Sequence, residues 1–215
     1  MATVVDICNL ALSHLGDKAT VASIEPPEGS PQASHCSRFY PVARDFMLEA
    51  HDWGFNTARV TLADQSSATP PPSAWTYAYA LPANCLRLLA VLPPDAGSDD
   101  QQQAYVRETA GGTDVIYCNQ ENAVARYTWR VPDPTRFSSL FVDAVARLLA
   151  SYLAGPVIKG DEGARMADAQ FKAALSIIER AKLSDSRQTR SNVWRDDQRG
   201  RPAWLRDRLM GVRHD

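Results

Sequence analysis

Helical periodicity at both ends of the chain, separated by a stretch with the alternation of β-strands, is the feature that most constrains the fold. Apolar residues recur at helical spacing over about residues 3–15 and 31–52, and again over about 135–153 and 164–181. Between residues 57 and 131, short segments alternate apolar and polar residues and end at Gly or Pro. We therefore predict an α+β protein with the order two helices, about five antiparallel strands, two helices.

The two N-terminal helices carry signals for their ends. Gly16 follows the first apolar period, at the position where glycine terminates a helix. Ser30 and Pro31 are typical of an N-cap and a first helical residue. Pro41 lies inside the second helix, where it removes one hydrogen bond and crowds the preceding turn, so we expect a kink or a short break over residues 37–41.

The central segment contains a recognisable hairpin. Gly111 and Gly112 lie between two alternating segments, and their freedom at positive φ suits a tight turn. The segments that predict strands are 59–62, 75–79, 85–92, 105–108, 115–118 and 124–131.

The C-terminal helices differ in pattern. The third begins near Thr135, and Gly155 with Pro156 is expected to disturb its end. A turn at 160–161 precedes the fourth helix, whose apolar residues repeat at spacings of three and four: Ala164, Ala167, Phe171, Ala174, Ile178 and Ala181. Such a seam requires a nearly parallel or antiparallel partner helix, either in the same chain or in another subunit.

An antiparallel four-helix bundle with an inserted small antiparallel β domain is the simplest arrangement that buries both helical pairs. We assign residues 1–56 to the N-terminal helices of the bundle and 57–131 to the inserted β domain. Residues 132–186 form the C-terminal helical hairpin, and 187–215 an extended C-terminal docking tail.

The composition excludes several classes of protein. With 215 residues, 45% of them hydrophobic, the chain can bury a core and is not expected to be disordered. It has no long uncharged apolar run, and its first residues lack the basic start of a signal peptide, so we expect a soluble protein made and retained in a cytoplasm. The four cysteines are far apart and are predicted to be buried free thiols: Cys8, Cys36, Cys85 and Cys118.

The residues do not indicate a catalytic or metal site. The histidines and cysteines of the first quarter lack the close pairs of a zinc site: Cys8, His14, His35, Cys36 and His51. His51 beside Asp52 resembles a base with its orienting acid, and Cys36 beside His35 a nucleophile, but no catalytic motif accompanies either pair. We therefore expect no enzymatic activity, no metal and no cofactor.

The charge distribution singles out the C-terminal tail. Residues 187–215 contain eight arginines and four aspartates, a net charge of +4, which leaves −6 on residues 1–186 out of a total of −2. Trp and Arg dominate binding hot spots, so we predict a docking peptide. Its candidate contact residues are Trp194, Arg195, Arg199, Arg201, Trp204, Leu205, Arg206, Arg208 and Leu209. In two alternatives, the tryptophans fold back onto the bundle, or the arginines and aromatics contact nucleic acid, which the aspartates disfavour.

Several segments together resemble a known family in their order and spacing. They are residues 6–16 (DICNLALSHLG), 36–45 (CSRFYPVARD), 50–55 (AHDWGF) and 75–87 (WTYAYALPANCLR), followed by Arg126-Tyr127 and residues 137–154. This pattern resembles the tail tubular protein A family, the head-to-tail adaptors (connectors) of tailed bacteriophages. The resemblance covers about residues 5–183 and leaves out the tail.

The resemblance implies a non-enzymatic structural protein of the virion tail or neck, assembled in the host cytoplasm. Family members form rings, typically twelve-fold, with one face on the portal and the other on the tail nozzle or next tail protein. The implied partners are therefore the portal, that tail protein and further copies of this chain. Genomic DNA would pass through the ring without sequence-specific binding, and no membrane is involved. The alternatives are a neck or head-completion protein of a long-tailed phage and a virion-associated cell-wall hydrolase.

Overall fold

The computed structural model describes residues 2–188, which form an α+β fold as predicted. Its four α-helices are α1 (Val4–His14), α2 (Pro31–Glu49), α3 (Ser139–Ile158) and α4 (Gly160–Gln188). Six strands lie between α2 and α3, one for each of the six predicted segments: β1 (Thr57–Thr61), β2 (Tyr77–Ala80), β3 (Cys85–Leu92), β4 (Tyr105–Ala110), β5 (Thr113–Cys118) and β6 (Val124–Trp129). Short 3₁₀ turns occur at Asp99–Gln101 and Pro134–Arg136.

Helix α1 has hydrogen-bonded caps at both ends. Thr3 and Asp6 form a reciprocal capping box, in which each side chain accepts the backbone N–H of the other residue. Gly16 follows the helix at φ +73°, and its N–H donates to the carbonyl of Ser13 at 3.0 Å. The predicted stop at Gly16 is therefore confirmed.

Helix α2 begins as predicted but does not break. The Ser30 hydroxyl accepts the N–H of Ala33 at 3.1 Å. The helix then continues through Pro41 to Glu49, so the short break expected near this proline is wrong. Tyr40 and Ala43 are buried on the two sides of the proline, and packing of this common face holds the helix together despite the lost hydrogen bond.

The strands form two three-stranded antiparallel sheets, with strand orders β1-β6-β3 and β2-β5-β4. The predicted hairpin at Gly111 and Gly112 is confirmed, because both have positive φ and connect β4 directly to β5. Side chains from both sheets share one core: Leu62, Tyr79, Leu88, Val91, Ile116, Cys118, Ala123 and Ala125. Trp129 at the end of β6 packs against the core of the helices, and Val131, two residues later, is buried in it, so this segment links the two parts of the molecule.

Helix α3 lies at the centre of the helical part, where α1, α2 and α4 all pack against it. It begins at Ser139 rather than near Thr135, because Ser138 provides the N-cap for Phe141. It also continues through Pro156 to Ile158, so the expected disturbance at Gly155 and Pro156 is wrong. The proline removes one helical hydrogen bond, and the helix ends two residues after it.

Helix α3 is also more apolar than we expected. Among the described helices it is the one with the length and mean hydropathy, 1.5, that would allow it to cross a membrane. However, 56% of that segment is buried inside the protein. Such burial is typical of a core helix.

The apolar seam of α4 is confirmed only in its C-terminal half. Ala174, Ile178 and Ala181 are buried, whereas Ala164 is exposed and Phe171 is 37% exposed. Gly163 is buried instead of Ala164. A straight α-helix drifts by about 20° per heptad from a 3.5-residue repeat, so a seam of alternating threes and fours cannot stay buried along its whole length.

We predict opposite effects of alanine at two helical glycines. A Cβ at Gly163 would lie 3.0 Å from the backbone carbonyl oxygen of Ala154, whereas a Cβ at Gly155 would meet no atom within 4 Å. Gly163→Ala should therefore lower the free energy of unfolding by about 1 kcal/mol through overpacking. Gly155→Ala should leave it unchanged or raise it by up to about 1 kcal/mol through helix propensity. Urea unfolding of both variants tests this, and equal effects would contradict the close approach of α3 and α4.

Candidate interaction surfaces

The turn between α2 and β1 connects the helices to the first sheet. The indole Nε1 of Trp53 donates to the carbonyl of Met47 at 2.9 Å. The backbone carbonyl of Asn56 accepts the N–H of Trp129 at 2.9 Å, while its side-chain amide donates to the carbonyl of Leu48 at 3.4 Å. These hydrogen bonds therefore attach the turn both to the end of α2 and to the end of β6.

Four aromatic rings, which we call the aromatic cluster, pack behind this turn. They are Trp53 and Phe55 from the turn, Phe137 just before α3, and Phe141 in the first turn of α3. Phe141 contacts the other three rings with centroid distances of 4.7–5.1 Å, partly edge to face. Pairs in this geometry add about 0.5–1.5 kcal/mol each beyond the burial of their area. The cluster therefore fixes where the chain enters and leaves the sheets.

The last turn of α4 is attached to the same place. The carboxylate of Asp185 accepts the N–H of Gly54 at 3.1 Å and lies 3.4 Å from Nε2 of His51. These residues are 131 and 134 positions apart in sequence. The end of the described chain is thereby held beside the turn between α2 and β1.

A groove, which we call the junction groove, runs along the boundary between helices and sheets. It consists of two adjoining cavities of about 780 and 410 Å³ that share Gly54, Phe55 and Arg136. The larger is also lined by Thr57, Ala58, Tyr127 and Trp129, and the smaller by Phe137, Ser138, Ala181, Ser184, Asp185 and Gln188. These volumes are within the range of ligand pockets.

The junction groove has an aromatic wall with a cation at its edge. Phe55, Tyr127 and Trp129 are each half-buried, so part of each ring is open to the groove. Burial raises the pKa of Tyr127, which keeps its phenol neutral. The guanidinium of Arg136 lies 5.7 Å from the centroid of the Trp129 ring. The groove can therefore accept an aromatic side chain.

Two further surfaces are exposed apolar pairs on different helices. Val42 and Phe46 of α2 are 56% and 44% exposed, and we call them the α2 patch. Phe171 and Leu175 of α4 are 37% and 39% exposed and form the α4 patch. Each pair has the i, i+4 spacing that stacks two side chains on one helix face. Single exposed apolar residues are normal, whereas a pair on one helix face is a candidate contact surface.

The histidines and cysteines considered above do not form one common site. Cys8 and Cys36 are buried beside each other between α1 and α2, and their hydrogen bond together with burial raises the pKa of Cys8. His14 lies 3.3 Å from Asp143, and its pKa is lowered by burial and by the charge of Arg147. Among residues 2–188, no three His, Cys, Asp or Glu side chains are grouped as metal ligands. All four cysteines are free, and Cys85 is only half-buried.

The predicted docking residues lie outside the described part of the chain. This applies to Trp194, Arg195, Arg199, Arg201, Trp204, Leu205, Arg206, Arg208 and Leu209. Helix α4 continues to Gln188, so residues 187 and 188, assigned above to the tail, are helical. The junction groove and the two patches were not predicted from the sequence, although the i, i+4 spacing of Val42 and Phe46 is visible in it.

Comparison with known proteins adds no relative. The sequence matches no protein-family model and no curated protein. The function proposed below therefore depends on the resemblance described above and on the surfaces of the molecule.

We predict that Asp185→Ala loosens the attachment of α4 to the turn. Loss of a charged hydrogen-bond acceptor should lower the free energy of unfolding by about 1–2 kcal/mol and accelerate hydrogen exchange at the Gly54 amide. Asp168→Ala is the matched control, because Asp168 on the same helix pairs only with exposed Lys172 in an i, i+4 ion pair. The control should change stability by less than about 0.5 kcal/mol. Equal effects of the two variants would argue against this attachment.

Proposed function

We propose that this protein is a structural component of a bacteriophage virion, an adaptor that forms a ring between the portal and the tail nozzle or next tail protein. The proposal combines the resemblance of about residues 5–183 to head-to-tail adaptors with one structural observation. That observation is the presence of two separate apolar patches, one on α2 and one on α4.

Two different patches are what a ring requires. A subunit in a closed ring contacts one neighbour through one surface and the other neighbour through a second surface. The α2 patch and the α4 patch belong to different helices, and both helices pack on α3. Because a rigid core holds the two patches, their relative orientation can define a rotation between neighbouring subunits. In this proposal, the α2 patch of one copy packs against the α4 patch of the next.

The finer architecture follows the same proposal. In it, the four helices form the predicted antiparallel bundle, which the packing of α1, α2 and α4 on α3 supports. Residues 57–131 are the inserted β domain, and the basic C-terminal segment is the extended tail that docks on the portal. A ring of twelve copies, as the resemblance implies, would continue the DNA channel. The net charge of −6 on residues 1–186 suits a lumen along which DNA slides without binding.

Ring formation can be tested by breaking one patch at a time. Phe46→Asp should abolish the α2 patch and Phe171→Asp the α4 patch, because each change places a charge in an apolar contact. Neither variant alone should form rings on the portal in electron microscopy. An equimolar mixture should form heterodimers and stop there, because each pair retains one intact patch combination and has no surface for further growth.

The control for this test is Leu183→Asp. Leu183 is 64% exposed on α4 but belongs to neither patch, so this variant should form rings normally. Rings from either patch variant would show that its patch is not the subunit contact. A mixture that stays monomeric would show that the two patches do not bind each other.

Portal docking by the tail can be tested at Trp204. If this side chain is a buried anchor, Trp204→Ala should weaken binding to the portal by about 2 kcal/mol, or roughly thirtyfold in Kd. The measurement is a titration of immobilised portal with wild type and variant. Unchanged affinity would remove Trp204 from the proposed contact.

A further inference from the structure

We infer that the junction groove binds the start of the chain's own C-terminal segment, with the indole of Trp194 packed against the half-buried rings of the groove. This binding is a property of the single chain and does not require the proposed ring. It also assigns Trp194 a different role from the other candidate docking residues.

The position where the described chain ends is the first argument. Gln188, the last residue of α4, itself lines the smaller cavity of the groove together with Ser184 and Asp185. Asp185 fixes this end of the helix against the turn at Gly54. The segment that follows therefore starts at the mouth of the groove and needs no long connection to enter it.

The reach of the chain is the second argument. Trp194 is six residues beyond Gln188, and six residues span at most about 20 Å when fully extended. The two cavities adjoin through Gly54, Phe55 and Arg136. Trp194 is thus the first aromatic residue able to reach the groove from α4. Trp204, ten residues further along, is not confined in the same way.

The chemistry of the groove is the third argument. Phe55, Tyr127 and Trp129 offer partly open apolar ring faces, with which an indole ring stacks favourably. The segment after Gln188 has a net charge of +3, from seven arginines and four aspartates, whereas residues 1–188 have a net charge of −5. An acidic body with an aromatic groove therefore suits a basic segment whose first aromatic residue is a tryptophan.

Binding of Trp194 in the groove would favour association of the tail with a partner protein. It would fix the origin of the remaining segment, residues 195–215, close to the protein surface. Restricting a binding segment before association reduces the entropy lost when it binds. Trp194 would then anchor the tail to its own subunit, while the residues around Trp204 remain available to a second protein.

The test uses the full chain labelled with 5-fluorotryptophan. Its five tryptophans should give five ¹⁹F signals, which Trp→Phe variants assign one by one. Trp53, 1% exposed in the helical core, reports that the protein is folded. In the wild type, the Trp194 signal should show little solvent isotope shift. Trp194→Ala should move the Trp129 signal, and the matched control Trp204→Ala should leave it in place.

A groove variant provides the reciprocal measurement. Ala58 lines the groove opposite Tyr127 in the β1–β6 pairing, so Ala58→Tyr should fill the groove and shift Trp194 to a solvent-exposed position. An unchanged Trp53 signal shows that this variant is folded. If Ala58→Tyr does not fold, the change of the Trp129 signal in Trp194→Ala is the measurement that tests the inference. The inference is wrong if Trp194→Ala leaves the Trp129 signal unchanged. It is also wrong if Trp194 is solvent-exposed in the wild type.

Dilution distinguishes binding within one chain from exchange between chains. Protection of Trp194 should be unchanged over a hundredfold dilution at which light scattering reports a monomer. Protection that disappears on dilution would place the tail in the groove of another copy and overturn binding within one chain. Loss of ring formation with retained Trp194 protection would refute the proposed adaptor function but not this inference.

Discussion

The aromatic cluster of Trp53, Phe55, Phe137 and Phe141 is the contact on which the rest of the structure depends. The chain passes from helices to strands through Trp53 and Phe55 and returns to helices through Phe137 and Phe141. The close ring contacts hold these two crossings together. Together with the packing of Trp129 and Val131 on the helical core, these contacts hold the sheets in position relative to the helices.

Every surface with a proposed role is positioned by this junction or by the helix core beside it. The junction groove is formed where the first sheet, the start of α3 and the end of α4 meet. Asp185 brings the C-terminal end of α4 to the same place. The α2 and α4 patches lie on helices that both pack on α3, so their separation is determined by the buried core. The surfaces proposed for assembly and the end of α4 are thus held by one buried core.

Local signals predicted the element ends well where a single side chain determines them. Ser30 and Gly16 act through hydrogen bonds and backbone angles within a few residues, and both were recognisable in the sequence. The helices α2 and α3 nevertheless continue through Pro41 and Pro156. Each proline removes one hydrogen bond from its helix, but burial of the neighbouring residues against other helices outweighs this loss. The prediction for α4 failed in its first half because Gly163 approaches the α3 backbone, a contact between segments.

The sequence by itself determined the α+β class, the order of helices and strands, the hairpin at Gly111 and Gly112, and the separation of charge between body and tail. These depend on periodicity, turn chemistry and composition, which are properties of short segments. Only the tertiary structure decided which apolar residues stay exposed and where the groove forms. Val42 and Phe171 have the same helical spacing as core residues, and their exposure depends on which face of each helix packs on α3. The groove depends on residues more than 130 positions apart, which no local pattern brings together.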